Sequence, residues 1–575
     1  MSESPTMSPA APEAGIDAVP TPADGTVQET TVVVTEHQVL LGTAAALASS
    51  LGLGDTEPEA PAAPPRRRLW TLTVACMGVA LVISSMVALN TVLGEIAVAS
   101  SATQTQLTWV VDSYTLVLAC LLLPAGAIGD RYGRRCALLI GLAIFAAASL
   151  APVILHSPTE IIASRAAAGV GAAFVMPATL SLLTAVYPKS QRARAVGIWA
   201  GVAGSGAVLG MLGSGLLLKI WPWQSLFWAL AGVGFLLFLL ALTVSESRDD
   251  DAPPVDWPGA ALIGTSVLIF VFGVIEAPSR GWSNPLVYSC IVAGLALAAV
   301  FGFVEIRRRH PLLEVRLFAD AEFATGAATI MVLFLATFGF FFLLMQYCQL
   351  VLGYTPLQTA LALTPLVAAL TVLSGLSFWY LPKLGLRLVV FLGLSTMAVG
   401  FLCLNRLRLD SAYVELAWPL LVLSSGIGLC SAPATTAIMG ATPDEKQGVA
   451  SAVNDSAREL GAALGFAIAG SMVAAQYARD LSPKLSSFPE SLRGPATDSL
   501  AKSIEVSHRL GPQGAELAEL SRTAFLHAMQ SSLYVLAGIV GIAAVVIGLC
   551  APGRDGTRLS LRRPPVVGRT DTRNG

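Results

Sequence analysis

From Leu69 onward the chain is a succession of apolar runs of 18 or more residues, broken by short polar stretches that carry charge, Gly and Pro. Each run is long enough to cross the roughly 30 Å hydrocarbon layer as a helix. The runs are continuous and rich in Leu, Ala and Gly rather than alternating, which argues against strands. Fourteen spans are predicted, near 69–92, 108–127, 136–155, 159–184, 195–218, 224–244, 258–277, 285–304, 323–347, 357–379, 387–404, 414–439, 449–475 and 526–550. The expected fold class is therefore an all-α polytopic membrane protein.

The polar stretches between spans are not equivalent. One set holds Arg66 to Arg68, Arg131, Arg134, Arg135, Lys189, Arg192, Arg194, Arg307 to Arg309, Arg316, Lys383, Arg387 and Lys446, whereas the opposite short loops hold only Lys219, Arg280, Arg406 and Arg408. The excess of Lys and Arg on one side predicts that side to be cytoplasmic, with both termini in the cytoplasm and an even number of crossings. The Arg-rich tail, residues 551–575, agrees with this. One longer segment, 476–525, with helical patches between Pro483, Pro489, Pro495 and Pro512, falls outside and reads either as a lid or outer-side contact or as a flexible loop.

Composition sharpens the class. Hydrophobic residues make up 54% of the 575 and charged residues 13%, far below the roughly 25% charge of soluble proteins. Residues 1–65 contain nine acids and no Lys or Arg, and their Pro, Ala, Thr and Glu predict a disordered acidic tail; Leu40 to Leu53 is at most a surface helix. That balance makes nucleic acid an improbable partner. Eight cysteines lie mostly inside apolar spans with no CxxC pair, so neither a metal site nor a disulfide framework is expected. No GxxxxGK[ST] loop occurs, so the chain has no nucleotide-driven motor of its own.

An internal repeat organises the spans. GVGAAFVMPAT (169–179) is echoed by GIGLCSAPAT (426–435), GAVLG (206–210) by GAALG (461–465), and GDRYGRR (129–135) more weakly by LPKLGLR (381–387). Two six-helix halves, 69–244 and 323–550, with two extra helices at 258–304 between them, account for the count.

The loop between spans 2 and 3 reads Gly126, Ala, Ile, Gly129, Asp130, Arg131, Tyr, Gly133, Arg134, Arg135. Its glycines permit a tight turn close to a neighbouring helix, and Asp130 can accept hydrogen bonds from a helix N-terminus or an arginine. This loop resembles the signature motif of the major facilitator superfamily. TWVVDSYTLVLACLLLPAGAIGDRYGRR (108–135), HPLLEVRLF (310–318), QLVLGYTPLQ (349–358) and GVASAVNDSARELGAALGFA (448–467) resemble its fourteen-span drug:proton antiporter family. The resemblance implies a transporter alternating between two open states, with Asp130 and the arginines after it latching the cytoplasmic side.

Charged groups at membrane depth are the candidates for coupling. Arg165 lies about seven residues inside span 4, where a cation costs about 2.5–3.5 kcal/mol and needs a partner or a task; the family's membrane arginine maps onto it. Asp112 in span 2 sits at a similar depth and could pair with Arg165. Glu459 in span 13 is placed near the bilayer centre, where desolvation disfavours its charged form, the property a proton carrier needs. Asp455 lies one turn away, with Arg458 three residues on to neutralise it. Proton coupling is thus expected of Asp112, Arg165, Asp455 and Glu459.

Small residues supply the second class of candidates. Gly206 and Gly210 form a close-packing stripe, as do Gly461 and Gly465. The stretch with Gly206 and Gly210 resembles the family's antiporter motif, but Met211 stands where that motif has Pro. Ser85 stands where such exporters often carry an acid in span 1, which gives neutral or zwitterionic substrates some ground, and Asn90 is left as the polar cavity group. The Trp residues, including Trp109 and Trp223, read as interface anchors.

These features predict a secondary active exporter of small amphipathic compounds, drugs or antibiotics, driven by proton antiport. A proton-coupled importer and a non-transporting sensor are the alternatives. No enzyme activity and no cofactor beyond protons are expected. The partners expected are the bilayer and a small-molecule substrate, for a monomer in the inner membrane.

Overall fold

The computed structural model describes residues 64–553 apart from 101–103, 156, 248–253, 309–310, 487 and 511. The expectations for the acidic stretch up to residue 63 and for the tail from 554 lie outside the described residues. So does the side chain of Asn90, whose backbone sits in a short turn, Leu89–Thr91.

Fourteen of the described helices are long and apolar enough to cross a membrane. They are α1 (Pro65–Ala88), α2 (Gln104–Tyr132), α3 (Arg134–Ile154), α4 (Pro158–Val186), α5 (Lys189–Leu217), α6 (Gln224–Ala241), α7 (Trp257–Arg280), α8 (Pro285–Glu305), α9 (Ala321–Gln346), α10 (Leu357–Gly375), α11 (Ser377–Leu404), α12 (Tyr413–Gly440), α13 (Gln447–Leu481) and α14 (Pro512–Cys550). Local chemistry sets several of the starts. Ser157 accepts from the Glu160 N–H at 3.3 Å while its own N–H reaches the Glu160 carboxylate at 3.2 Å, and Pro158 opens the helix. Asp256, Asn284 and Asp320 cap α7, α8 and α9 more simply, their side chains accepting from backbone N–H groups of the first turn.

Helices α1–α6 pack among themselves, as do α9–α14. The two groups meet along α2 with α13, α4 with α13, α5 with α10 and α5 with α12. The repeat seen in the sequence is visible in the backbone: Gly133 in GDRYGRR and Gly385 in LPKLGLR both take positive φ, 111° and 74°. An L side chain disfavours that region, so glycine at the fifth position of both loops follows from the shape of the turn.

One open expectation is decided and one is corrected. In segment 476–525 the ordered alternative holds among the described residues: α13 runs on to Leu481, α14 begins at Pro512, and helices Glu490–Asp498 and Leu500–Arg509 lie between. Buried contacts hold this element, with the Tyr477 hydroxyl donating to the Ala496 carbonyl at 3.0 Å and Ser503 bonded to Ser521 at 2.6 Å. Trp223 and Trp109 also differ from simple interface anchors. Trp223 is buried edge-on against Phe227, and Trp109 stacks on Phe272 of α7.

The inserted pair α7 and α8 is asymmetric. α8 packs mainly on α7 and exposes Tyr288, Leu295 and Phe303, as a lipid-facing helix does. α7 instead wedges against both α2 and α13, so it touches both halves.

Candidate transport cavity and gate

At the end of the bundle that carries GDRYGRR, the two halves are closed. Asp130, near the last turn of α2, accepts the backbone N–H of Gly448 at 2.8 Å and of Val449 at 3.1 Å, so its carboxylate sits on the N-terminus of α13. That end of a helix favours an anion, and the orphan N–H groups there need acceptors. The same carboxylate takes Arg134 at 3.0 Å, and Arg134 also donates to the Asp444 carbonyl at 3.0 Å. Arg192 of α5 pairs with the Asp444 carboxylate at 2.7 Å. Gly126 and Gly448 allow the approach: a Cβ on Gly126 would lie 2.5 Å from the Gly448 carbonyl oxygen. Arg135 braces the turn from its other side through Glu246 and the Leu242 carbonyl. Arg131 is half-buried, and Gly129 faces Ala137.

Toward the other end lies a cavity of about 570 Å³. Its walls are mostly apolar, with Phe338, Phe341, Phe342 and Phe466 prominent, and both Asp112 of α2 and Glu459 of α13 face it. The sequence pattern singled out these two acids separately; the fold brings them to one space from opposite halves. Asp455, one turn below Glu459, does not reach the cavity. It is fully buried, accepts from Asn454 Nδ2 at 3.1 Å, and lies 4.0 Å from Arg458 Nε.

Arg165 is placed differently from the expected pairing with Asp112. Its guanidinium donates to the Ser85 hydroxyl at 3.1 Å and the Ser85 carbonyl at 3.4 Å, and stacks 4.3 Å over the Tyr114 ring. The Tyr114 hydroxyl in turn donates to the Val82 carbonyl at 3.1 Å. Arg165 thus pins α4 to α1 and α2, and Asp112 is not among its partners in the described residues. The physical reason is position: Asp112 turns toward the cavity, within electrostatic reach of Glu276 on α7, while Arg165 turns into the packed face toward α1. Ser85, which stands where a family acid is common, is the group that receives the arginine.

The glycine stripes lie where helices cross closely. A Cβ on Gly210 would sit 2.7 Å from the Ser84 Cα, one on Gly206 3.1 Å from Ile83, and Gly461 and Gly465 lie against the Met331 and Leu335 carbonyls of α9. Met211, at the position of the family's Pro, lines the cavity, and α5 runs unbroken through it.

Sequence reasoning missed three contributions. Val271, Val274, Ile275 and Pro278 of the inserted α7 form one wall, so this helix builds the cavity as well as joining the halves. Gln346 and Gln349, two amides three residues apart at the end of an apolar span, also line it and were open to notice on polarity alone. Thr91 lines it as well.

A family model described as the Major Facilitator Superfamily matches residues 70–466. The chain belongs to that superfamily. It is 34% identical over 422 residues to the multidrug resistance protein Stp of Mycobacterium tuberculosis, covering 73% of this chain and 78% of that one. To the multidrug efflux pump LfrA of Mycolicibacterium smegmatis it is 32% identical over 495 residues, 84% of this chain and 96% of the other. Among solved structures it is similar to the human organic anion transporter MFSD10, with TM-score 0.55 at 15% identity, over 84% of this chain and all of that one. That likeness concerns the fold. The chain is accordingly a polytopic major facilitator protein of two six-helix halves with two extra central helices, and a transporter by family. Among the described residues no group of three or more His, Cys, Asp or Glu is placed to hold a metal.

Proposed function

We propose that this transporter exports small amphipathic compounds, drugs or antibiotics, by proton antiport with alternating access. The observation that carries the reading is the pairing of two acids, Asp112 and Glu459, from opposite halves on one apolar, aromatic-walled cavity. Ionised, they attract a cationic or polar group of a lipophilic guest; protonated, they release it. Aromatic faces add attraction for a cation. The loss of an acid at Ser85 does not leave the cavity without negative charge, because these two supply it. The relatives named as multidrug resistance and efflux proteins support the direction of transport.

In this reading the GDRYGRR end is cytoplasmic, as are both termini, and the protein sits in the inner membrane with the cavity facing outward. Asp130, Arg134 and the α13 N-terminus form the cytoplasmic gate, Arg131 and Arg135 flank it, and Gly126, Gly129 and Gly133 shape it. Arg165 serves coupling indirectly, by fixing α1, α2 and α4 around Asp112, and Asp455 does so through Arg458. One proton crossing about 100 mV supplies about 2.3 kcal/mol, enough for a gradient of roughly fiftyfold. Residues 1–65 and 551–575 are tails outside the transport core, which acts as a monomer without a cofactor and without catalytic chemistry.

The test is ethidium accumulation in cells expressing the protein. Accumulation is expected to be low and to rise when a protonophore is added. Glu459→Gln is expected to raise it at least to the level of Asp112→Asn. Unchanged accumulation in every case, with ethidium binding intact, contradicts export. Uptake that depends on the gradient favours the importer reading instead.

A further inference from the structure

Below the cavity, at the level where the two halves meet, Arg458 is buried with an incomplete set of partners. It is 2% exposed, and its Nε and one terminal nitrogen, Nη2, make no hydrogen bond to the described residues. Its guanidinium carbon lies 4.8 Å over the ring of Trp199 and 5.0 Å from that of Phe334. Trp199 belongs to α5 in the first half, is fully buried, and is fixed by its own N–H to Thr179 of α4 at 3.2 Å. Phe334 belongs to α9 in the second half. A cation on α13 therefore rests on an aromatic face of the other half, with only a long contact, 4.0 Å, to its nearest anion.

That anion is itself incompletely partnered. Asp455, three residues earlier on α13, approaches Arg458 only at 4.0 Å, and its second oxygen, Oδ2, is buried without a partner. Asn454 holds the first oxygen and is itself fixed by Thr435 of α12 at 3.0 Å. Two donors on one side chain and an acceptor on the other are thus left idle three residues apart on one helix, a spacing at which side chains can meet. Buried charges are costly unless fully paired, so idle atoms on both partners mark a pair that is complete in another arrangement.

We propose that Arg458 is a positioning residue that couples the two halves at the cavity floor: it rests on the Trp199 indole while the floor is closed and moves onto the Asp455 carboxylate when the floor opens. Opening requires α5 to part from α13, which removes the indole from beneath the guanidinium. Asp455 then offers the charge-assisted hydrogen bonds that replace it. Glu459, the next residue, faces the cavity and acts electrostatically on Arg458, which places the exchanging acid beside the moving cation. The proposal rests on the alternating-access reading above and adds the residue that links its two conformations.

Spin labels at Tyr132→Cys and Glu445→Cys, both exposed at the GDRYGRR end, report its opening in the purified full-length protein. Pulsed dipolar distances then give the ratio of open to closed forms. Trp199→Leu is expected to raise that ratio roughly tenfold, the consequence of losing a desolvated cation–π contact. Trp199→Phe shifts it the same way by less, and decides the matter if the leucine variant fails to fold. Adding Asp455→Asn to either variant is expected to bring the ratio back down, since the alternative partner is weakened. A merely structural Trp199 would lower the melting temperature without a directed shift. The proposal is overturned if the Trp199 variants keep the wild-type ratio, or if Asp455→Asn raises it further. These distances need neither guest nor proton gradient, so a negative result leaves export standing, and a failure of ethidium export leaves the distances interpretable.

Discussion

The GDRYGRR loop of the first half and the LPKLGLR loop of the second share a backbone turn and differ in what they hold. Gly133 and Gly385 occupy the same position in each and both take positive φ. Yet Asp130 corresponds to Pro382 and Arg134 to Leu386, so only the first loop can cap the N-terminus of a helix from the other half. Arg387, the counterpart of Arg135, turns instead to its own half, donating to the Ala551 carbonyl at 2.8 Å beyond α14. The turn is a requirement of the fold, and the latch is an addition to one copy of it. Repeated geometry alone therefore does not repeat function.

Five substitutions probe that division: the latch against its counterpart first, then the shared glycines, then the outer ion pair, in falling order of the largest effect in each. Asp130→Ala should abolish ethidium export and destabilise the closed form by about 3–5 kcal/mol, because it strands Arg134 and two helix N–H groups in a buried site. Its counterpart Pro382→Ala, exposed and without those partners, should stay within about 0.5 kcal/mol in thermal stability and near wild type in export. Equal damage from both would erase the distinction between turn and latch. Gly133→Ala and Gly385→Ala should each cost about 1–2 kcal/mol in melting experiments, since both force an L residue into positive φ. Gly133 should be the worse of the two, because its Cβ would meet the Glu246 carboxylate at 2.7 Å. A harmless Gly385→Ala would mean that the shared turn is not under the same constraint. Arg192→Ala removes a pair whose Asp444 side is half exposed, and should change stability by about 0–1 kcal/mol, less at high salt.

Much of this was legible in the sequence, for physical reasons that differ from residue to residue. Continuous apolar runs of membrane length announce spans whatever their packing, so the fourteen helices could be read off directly. The spacing of Gly and Asp in GDRYGRR is unusual enough to mark a close approach and an acceptor. Depth along a span follows from counting, which identified Asp112, Arg165 and Glu459 as charges within spans. Facing does not follow from counting. Whether Asp112 met Arg165 depended on the rotation of α2 against α4, and the structure turns one to the cavity and the other to Ser85. Interior ends of spans were blurred because α13 and α14 continue past the hydrophobic stretch as polar helices, which hydropathy reads as a loop. The role of α7 was hidden for a similar reason: Val271, Val274 and Ile275 look alike whether they face lipid or a cavity.

Arg165 and Arg458 show the same lesson from inside the membrane. Each is a buried cation over an aromatic ring, but Arg165 has hydrogen bonds to Ser85 and lies within one half, whereas Arg458 lacks them and lies between halves. The first reads as a fixed pin and the second as a moving part.

The central claim is that Asp112 and Glu459 exchange protons for a guest in one cavity. Proteoliposomes carrying a pH gradient, monitored with an internal pH dye, test it directly on addition of ethidium. The wild-type protein is expected to dissipate the gradient only when ethidium is present, and the Asp112→Asn, Glu459→Gln double variant is expected not to respond. A double variant that still discharges the gradient at the wild-type rate would contradict the account.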